Sequence, residues 1–487
     1  MRDRMRRANQ GRATMADGHT HDSTAQQGHV GRRRVLRLGG GAMAAGLTGL
    51  GSLGLTACSG DGAGGAGGLG GGSGSGSKGD PEKAEITVWS WQGPAAELKE
   101  LVPEFNKTHP GVKVTVQDIG NPAIWDKITA GMAAGGQGLA DVLHIGVDYL
   151  PGYVERFPGG LADLAPLGAT AHKGAFAAGL WETVCPDGKK VNALPWEANS
   201  AGFYYRADIF EKAGVDAEAL QTWDDTIEAG KKIKAKTGVH LLGIDKPASQ
   251  PDAANLFQTL LQLQGVFYFD LEGRITLDSP EAVRALTLIK TMNDAGLVSD
   301  LAGGWNALMS SLKKGTNAVV PYPTWFGGII EEQVPAESGK WRVRLPPAVR
   351  RGGTTAATVN STHLAVAGSS QHQAAAWAFI EFALTRPASQ VKIYRGKGIA
   401  PALMKAYEDN VFHEPSAYFG GQRKGEIFLN ALKAPSPAVN YTSDYARALK
   451  LVTDAQSKVL LKGAEPAKVL AEAAAELARQ TGRKAAK

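Results

Sequence analysis

One tract decides where this chain can fold. Residues 59–80, SGDGAGGAGGLGGGSGSGSKGD, hold twelve glycines in twenty-two positions. A segment of that composition cannot bury enough apolar surface to offset the entropy of ordering it. It is expected to act as a random-coil tether with a reach of about 25 Å. The roughly 405 residues that follow exceed what one hydrophobic core holds, so two packed bodies are expected.

The residues before the tract are of another kind. Residues 1–37 carry nine arginines, three aspartates and no lysine. Residues 38–55, LGGGAMAAGLTGLGSLGL, carry no charge. A basic segment, an apolar run and small residues after it describe an export signal over residues 1–57. The glycines make this run a poor membrane span. Arg32-Arg33-Arg34-Val35-Leu36-Arg37 resembles the twin-arginine export motif, a receptor-read address; ordinary secretion is the alternative route. Leu55-Thr56-Ala57-Cys58 resembles the bacterial lipobox, in which the chain is cut before the cysteine and the sulfur is acylated. Several acyl chains make a stable anchor where one does not. Residues 58–81 are thus read as lipid-bearing Cys58 and its tether, at the outer face of the cytoplasmic membrane.

Charge and cysteine content then narrow the remainder. The arginines and aspartates of residues 1–37 account for the whole formal net charge of +6. The rest is near neutral, so the basic balance is no sign of nucleic-acid binding, and no basic stripe suggests one. With Cys58 lipidated, Cys185 has no partner for a disulfide and is read as a small buried hydrophobe.

Along the body, strands alternate with helices. AEITVWSW (84–91) has the β-branched and aromatic content of a strand. Leu98, Leu101, Val102 and Phe105 follow at helical spacing, with Pro103 expected to kink the helix. Val112, Val114 and Val116 alternate as in a strand, and ADVLHIGV (140–147) suits a strand buried on both faces. Helices are predicted over 222–236, 254–264, 280–295, 370–384 and within 443–482, with a strand near 318–321. This order implies an α/β fold of mixed sheets flanked by helices.

From residue 84 onward the order of motifs resembles the extracellular solute-binding proteins of ABC transporters, in the carbohydrate-binding group that includes maltose-binding protein. The carrying stretches are ADVLHIGVDYLPGYVERFPGGLADL (140–164), NALPWEANSAGFYYRADIFEKAGV (192–215) followed by TWDD, LKKGTNAVVPYPTWFGGI (312–329), SSQHQAAAWAFIEFALT (369–385) and GIAPA (398–402). Val319-Val320 departs from that group's usual Ala-Met, and 352–367 lacks its common double glycine. The resemblance implies two lobes joined at a hinge with a ligand cleft between them. Lobe one is expected over 82–196 plus 354–405, and lobe two over 197–353 plus 406–487. It implies hinge closure on a carbohydrate, transfer to the permease subunits of an importer, and a monomer.

Ten tryptophans against fourteen phenylalanines support a sugar ligand. Flat aromatic rings cover the C–H face of a sugar, and carboxylates and amides bond its hydroxyl rim. The candidates are Trp89, Trp91 and Gln92 at the end of the first strand, and Asp148 and Tyr149 after the buried strand. Trp196, Glu197 and Asn199 lie at the first crossover, and Trp305 and Asn306 before a helix over 307–314. Trp325 follows YPT, Asn360 lies near the second crossover, and Tyr441 and Tyr445 near a late helix. His363 and Trp125 rank lower, and Trp223 and Trp377 are read as packing. No H-E-x-x-H, G-x-S-x-G or P-loop occurs, so no metal, cofactor or catalytic site is expected. Asp148 and Glu197 could serve a glycoside hydrolase as acid and base, which is the rival reading. A receptor or adhesin without a transporter, and a binder of another polar solute, stay open.

Overall fold

The structure, a computed structural model, describes residues 83–177, 179–434 and 439–486. The export segment, Cys58 and the tether lie outside the described residues.

Ten strands follow in chain order: β1 Ala84–Ser90, β2 Val112–Asp118, β3 Val142–Gly146, β4 Leu194–Pro195, β5 Phe203–Arg206, β6 Leu242–Ile244, β7 Val298–Asp300, β8 Val319–Val320, β9 Trp341–Arg344 and β10 Thr362–Val366. The first sheet runs β2-β1-β3-β10-β4. β1 pairs parallel with both β2 and β3, whereas β10 pairs antiparallel with β3 and β4. β3 and β10, next to each other in the middle, are buried along their full length, which is why their sequences lack alternation. β5 lies between β8 and β9, antiparallel to both, and β6 pairs parallel with β7.

Two large cores result. The first takes Ile86, Val88, Leu98, Leu101, Phe105, Val142, Leu143, Leu364 and Phe379. Its helices include Gln92–Thr108 and Gln373–Thr385. Pro103 lies inside the former, which runs on to Thr108. The second core takes Phe203, Trp223, Phe257, Ile289, Val452 and Leu470. A smaller third cluster joins Tyr204, Phe326, Trp341, Phe419 and Phe428. The boundary expected at 405 is not marked by packing. Ala406, Tyr407, Phe412, Leu429 and Leu432 belong to the first core, while Tyr441, Tyr445 and the helices after them belong to the second.

Local signals explain several element ends. Thr222 accepts from the backbone N–H of Asp225, whose side chain accepts from the backbone of Thr222, so a capping box starts helix Trp223–Thr237. Gly238 ends it with φ 75°. Trp223 and Trp377 are buried in packing, as expected. Cys185 is half-buried against the first core, and burial pushes its thiol up to about 11, so it is no reactive thiolate. Among the described residues no helix is long and apolar enough to cross a membrane.

The chain passes between the cores after β4, after β9 and again between Leu432 and Tyr441, and the first two passages pair with each other. Ala201 N–H donates to Ala357 at 2.9 Å, and Val359 N–H donates to Asn199 at 2.8 Å. Ser200 opposes Thr358 in antiparallel sense. The bodies also touch at a second place: Arg156 Nη2 donates to the Ser443 carbonyl at 2.5 Å, and Val147, which follows β3, packs into the second core.

Candidate functional site

The ends of β1 and β3 and the first passage meet around a buried chain of hydrogen bonds. His144 sits in the middle of β3 with apolar neighbours on both sides, and a polar ring there needs partners. Ser90 Oγ lies 2.8 Å from His144 Nδ1, and His144 Nε2 lies 2.8 Å from Thr362 Oγ1. Thr362 Oγ1 in turn donates to Glu197 Oε1 at 2.8 Å. Because Thr362 gives its proton to Glu197, it accepts from His144 Nε2–H, and Nδ1 accepts from Ser90. Burial holds His144 neutral, with His363 adding in the same direction. His363 is buried as well and pushed down to about 3; its Nε2 lies 3.2 Å from Thr183 Oγ1, so it is structural.

Glu197 is 8% exposed, and burial pushes its carboxyl up to about 7, with the Thr362 and Asn199 hydrogen bonds pulling it back only in part. Asn199 is fully buried; its Nδ2 donates to the Asn360 carbonyl at 3.0 Å, and its Oδ1 has no partner among the described residues. Asn360 takes φ 53°, a turn conformation that asparagine tolerates.

Asp148 folds back after β3. A Cβ on Gly146 would lie 2.4 Å from Asp148 Oδ1, so a larger residue there would displace the Asp148 carboxylate. Asp148 retains some open surface, yet protein surrounds it closely. That burial raises it to about 6, the backbone N–H groups of Asp148 and Tyr149 oppose the rise, and the Asp252 carboxylate adds to it. Asp148 also acts electrostatically on Tyr441 and Tyr445, so the three share one region.

An aromatic wall flanks these acids. Trp91 stacks on His144 and lies 5.1 Å from Trp125, which stacks on Tyr149 at 4.5 Å and 13°. Burial raises the Tyr149 hydroxyl well above the usual phenol range. In the part built from the second and third cores, Trp325 lies 6.1 Å from both Trp305 and Tyr322. Trp305 is 38% exposed, one of few large apolar side chains left open among the described residues.

The predicted residues thus divide. Trp91, Asp148, Tyr149, Glu197 and Asn199 gather where β1, β3 and the passages meet. Trp305 and Trp325 form the second aromatic group. Trp305 and Asn306 do not precede their helix but form the first turn of Trp305–Lys314, after Gly304, and Asn306 is exposed. Trp196 is fully buried, 5.1 Å from His144, with Nε1 unpartnered among the described residues, so it backs the site instead of lining it. Trp89 is buried too: its Nε1 donates to Gln117 at 3.0 Å, and Lys127 lies over its ring. Gln92 is exposed at the helix start, its N–H donating to Asp118. Tyr441 and Tyr445 are mostly buried against Phe267, and Tyr445 accepts from Gln258 at 2.8 Å. Sequence reasoning passed over His144, Tyr322 and Asp252 and ranked Trp125 low. A histidine inside an apolar run buried on both faces was the available signal for His144.

Among relatives, the chain is 27% identical over 395 residues to a lactose-binding protein of Rhizobium radiobacter, covering 79% of this chain and 90% of that one. It is 26% identical over 412 residues to an arabinooligosaccharide-binding protein of Bacillus subtilis (strain 168), covering 82% and 93%. Among solved structures it superposes on the ABC transporter associated binding protein from B. animalis subsp. lactis Bl-04 in complex with beta-1,6-galactobiose. The TM-score is 0.69 at 27% identity, with 83% of this chain and 100% of that chain covered. These matches show the two-lobed fold of a solute-binding protein. Bacterial extracellular solute-binding protein is the description of the family that matches residues 89–390, more than half of the chain, and the chain belongs to it.

Proposed function

We propose that this protein captures a sugar or short oligosaccharide between its lobes and delivers it to the permease of an ABC importer. The observation that carries the reading is one juxtaposition. Two hydrogen-bonding acids, the half-buried Asp148 and the buried Glu197, stand beside the Trp91–Trp125–Tyr149 wall. A few placed polar groups on aromatic walls suit a polyhydroxylated ring. The names of the relatives agree with that class.

In this reading Asp148 and Glu197 accept from solute hydroxyls, and neither performs acid–base chemistry on the bond between sugars. Trp91, Trp125 and Tyr149 cover one ring face, with Trp305, Trp325 and Tyr322 offering a second apolar surface. A solute that touches both lobes stabilises the closed arrangement and shifts the population toward it. Lobe one is assigned residues 82–196 and 354–405 together with the Ala406–Leu432 segments packed on its core. Lipid on Cys58, after export by a twin-arginine-like signal, keeps a monomeric receptor beside its permease.

Thermal unfolding of a soluble form beginning at Lys78, against mono- and oligosaccharides, polyols and amino acids, tests this. A saccharide at 100 times its Kd adds about 2.7 kcal/mol of stability. A rise with one saccharide class, with the sugar recovered intact, is the expected result. A rise only with an amino acid would overturn the solute class, and release of cleaved sugar would overturn the receptor reading.

A further inference from the structure

A small cavity lies behind the second aromatic group, and one wall of it is an acid with an unused oxygen. Asp245 follows β6 and is 5% exposed. Its Oδ2 accepts from Ser249 Oγ at 2.5 Å and from the Gln250 N–H at 3.1 Å, which fixes the carboxylate in place. Its Oδ1 is buried without a partner among the described residues. Asp245 lines the cavity together with Asp252, Asn255, Asn317 and Tyr322. The Asn317 carbonyl is already taken by Ser299 Oγ at 2.8 Å. No lysine, arginine or histidine lines the space.

We propose that this cavity is a subsite for a single hydrogen-bond-donating substituent of the bound solute, a hydroxyl or a protonated amine, received by Asp245 Oδ1. The proposal rests on the saccharide reading above and adds to it where one substituent goes. The space open to the centre of a water-sized atom is about 40 Å³, enough for a small polar group and too little for a sugar ring. Tyr322, which lines the cavity, lies 6.1 Å from Trp325, so the cavity adjoins the second aromatic group, within reach of a substituent on a ring held there. A buried carboxylate oxygen left unpaired is costly, and a donor from the solute removes that cost. An anionic substituent meets Asp245 and Asp252 there with no cation in the lining, so phosphorylated and carboxylated sugars are disfavoured.

Asp245→Asn tests the assignment with little change of shape. Ser249 and Gln250 donate to the amide oxygen, so the amide nitrogen takes the free place and the acceptor becomes a donor. The full chain in detergent is titrated calorimetrically with lactose, β-1,6-galactobiose and arabinotriose, each with its monodeoxy analogues. Wild type is expected to lose roughly tenfold or more in affinity for one particular analogue of the saccharide it binds. D245N is expected to bind the parent at least tenfold more weakly and no longer to distinguish that analogue, with its melting temperature in the absence of sugar near that of wild type. Equal affinity of D245N and wild type, as for a cavity that holds only water, overturns the subsite and leaves the receptor reading intact. Equal weakening toward every analogue overturns it too. If none of the three saccharides raises the melting temperature of wild type, the saccharide reading falls and takes the subsite with it.

Discussion

Trp91 lies on His144, with ring centroids 4.1 Å apart and planes 25° from parallel. One face of the aromatic wall therefore rests on a side chain that is itself tied at both nitrogens, to Ser90 and Thr362. His144→Phe keeps a ring under Trp91 but leaves two buried hydroxyls without their partner. The expected loss is about 2–4 kcal/mol, read from urea unfolding. A variant as stable as wild type would show that the chain of hydrogen bonds contributes no net stability.

Two tryptophans separate binding from packing. Trp325 is half-buried at the start of helix Phe326–Gln333, whereas Trp377 is packed inside the first core. Trp325→Ala is expected to weaken saccharide binding about thirtyfold with a small change in stability. Trp377→Ala is expected to cost about 3–5 kcal/mol of stability with binding by the remaining folded protein unchanged. Calorimetric titration beside thermal unfolding reads both. The reverse pattern would move the site away from Trp325.

Acids and histidines pull stability in opposite directions with pH. Glu197, ordinarily near 4.5, is raised to about 7, and Asp148, ordinarily near 3.8, to about 6. Between the ordinary carboxylate range and pH 7 the folded chain holds more protons than the unfolded one, so their contribution falls as pH rises. His144 and His363 are held below their ordinary 6.5. There the unfolded chain binds more protons, so their contribution is lost as pH falls below about 6.5. Glu197→Gln removes only the Glu197 part of the first effect and leaves that of Asp148. Relative to wild type, the variant should gain up to roughly 3 kcal/mol between pH 4 and pH 8. Urea unfolding at pH 4, 6 and 8 checks this, and parallel profiles for the two proteins would contradict it.

Cys58→Ala tests the anchor. The variant is expected in the soluble fraction or the medium, while the wild-type chain sediments with membranes. Continued membrane fractionation of C58A would exclude lipid on that cysteine as the attachment.

Much of the body was legible because its signals are local. The alternation of Val112, Val114 and Val116 and the mostly apolar run at 140–147 each name an element without help from the rest of the chain. The residues that gather at the candidate site, such as Asp148 shortly after β3 and Glu197 shortly after β4, were named from loops next to strand ends. Trp125 was undervalued because a helix-face aromatic looks like core until its neighbours Trp91 and Tyr149 are known. Trp89 and Trp196 sit at strand ends in sequence, yet register turns both into packing. Asp245 and its cavity depend on β6, β8 and a loop coming together, and no spacing in the chain encodes that meeting.

The first two passages between the lobes bond to each other at Asn199, Ala201, Ala357 and Val359. Linked in this way, these two of the three passages cannot flex independently of each other. Glu197 lies two residues from the first of these bonds. A solute that gripped Glu197 would therefore hold the chain close to where these passages are tied together.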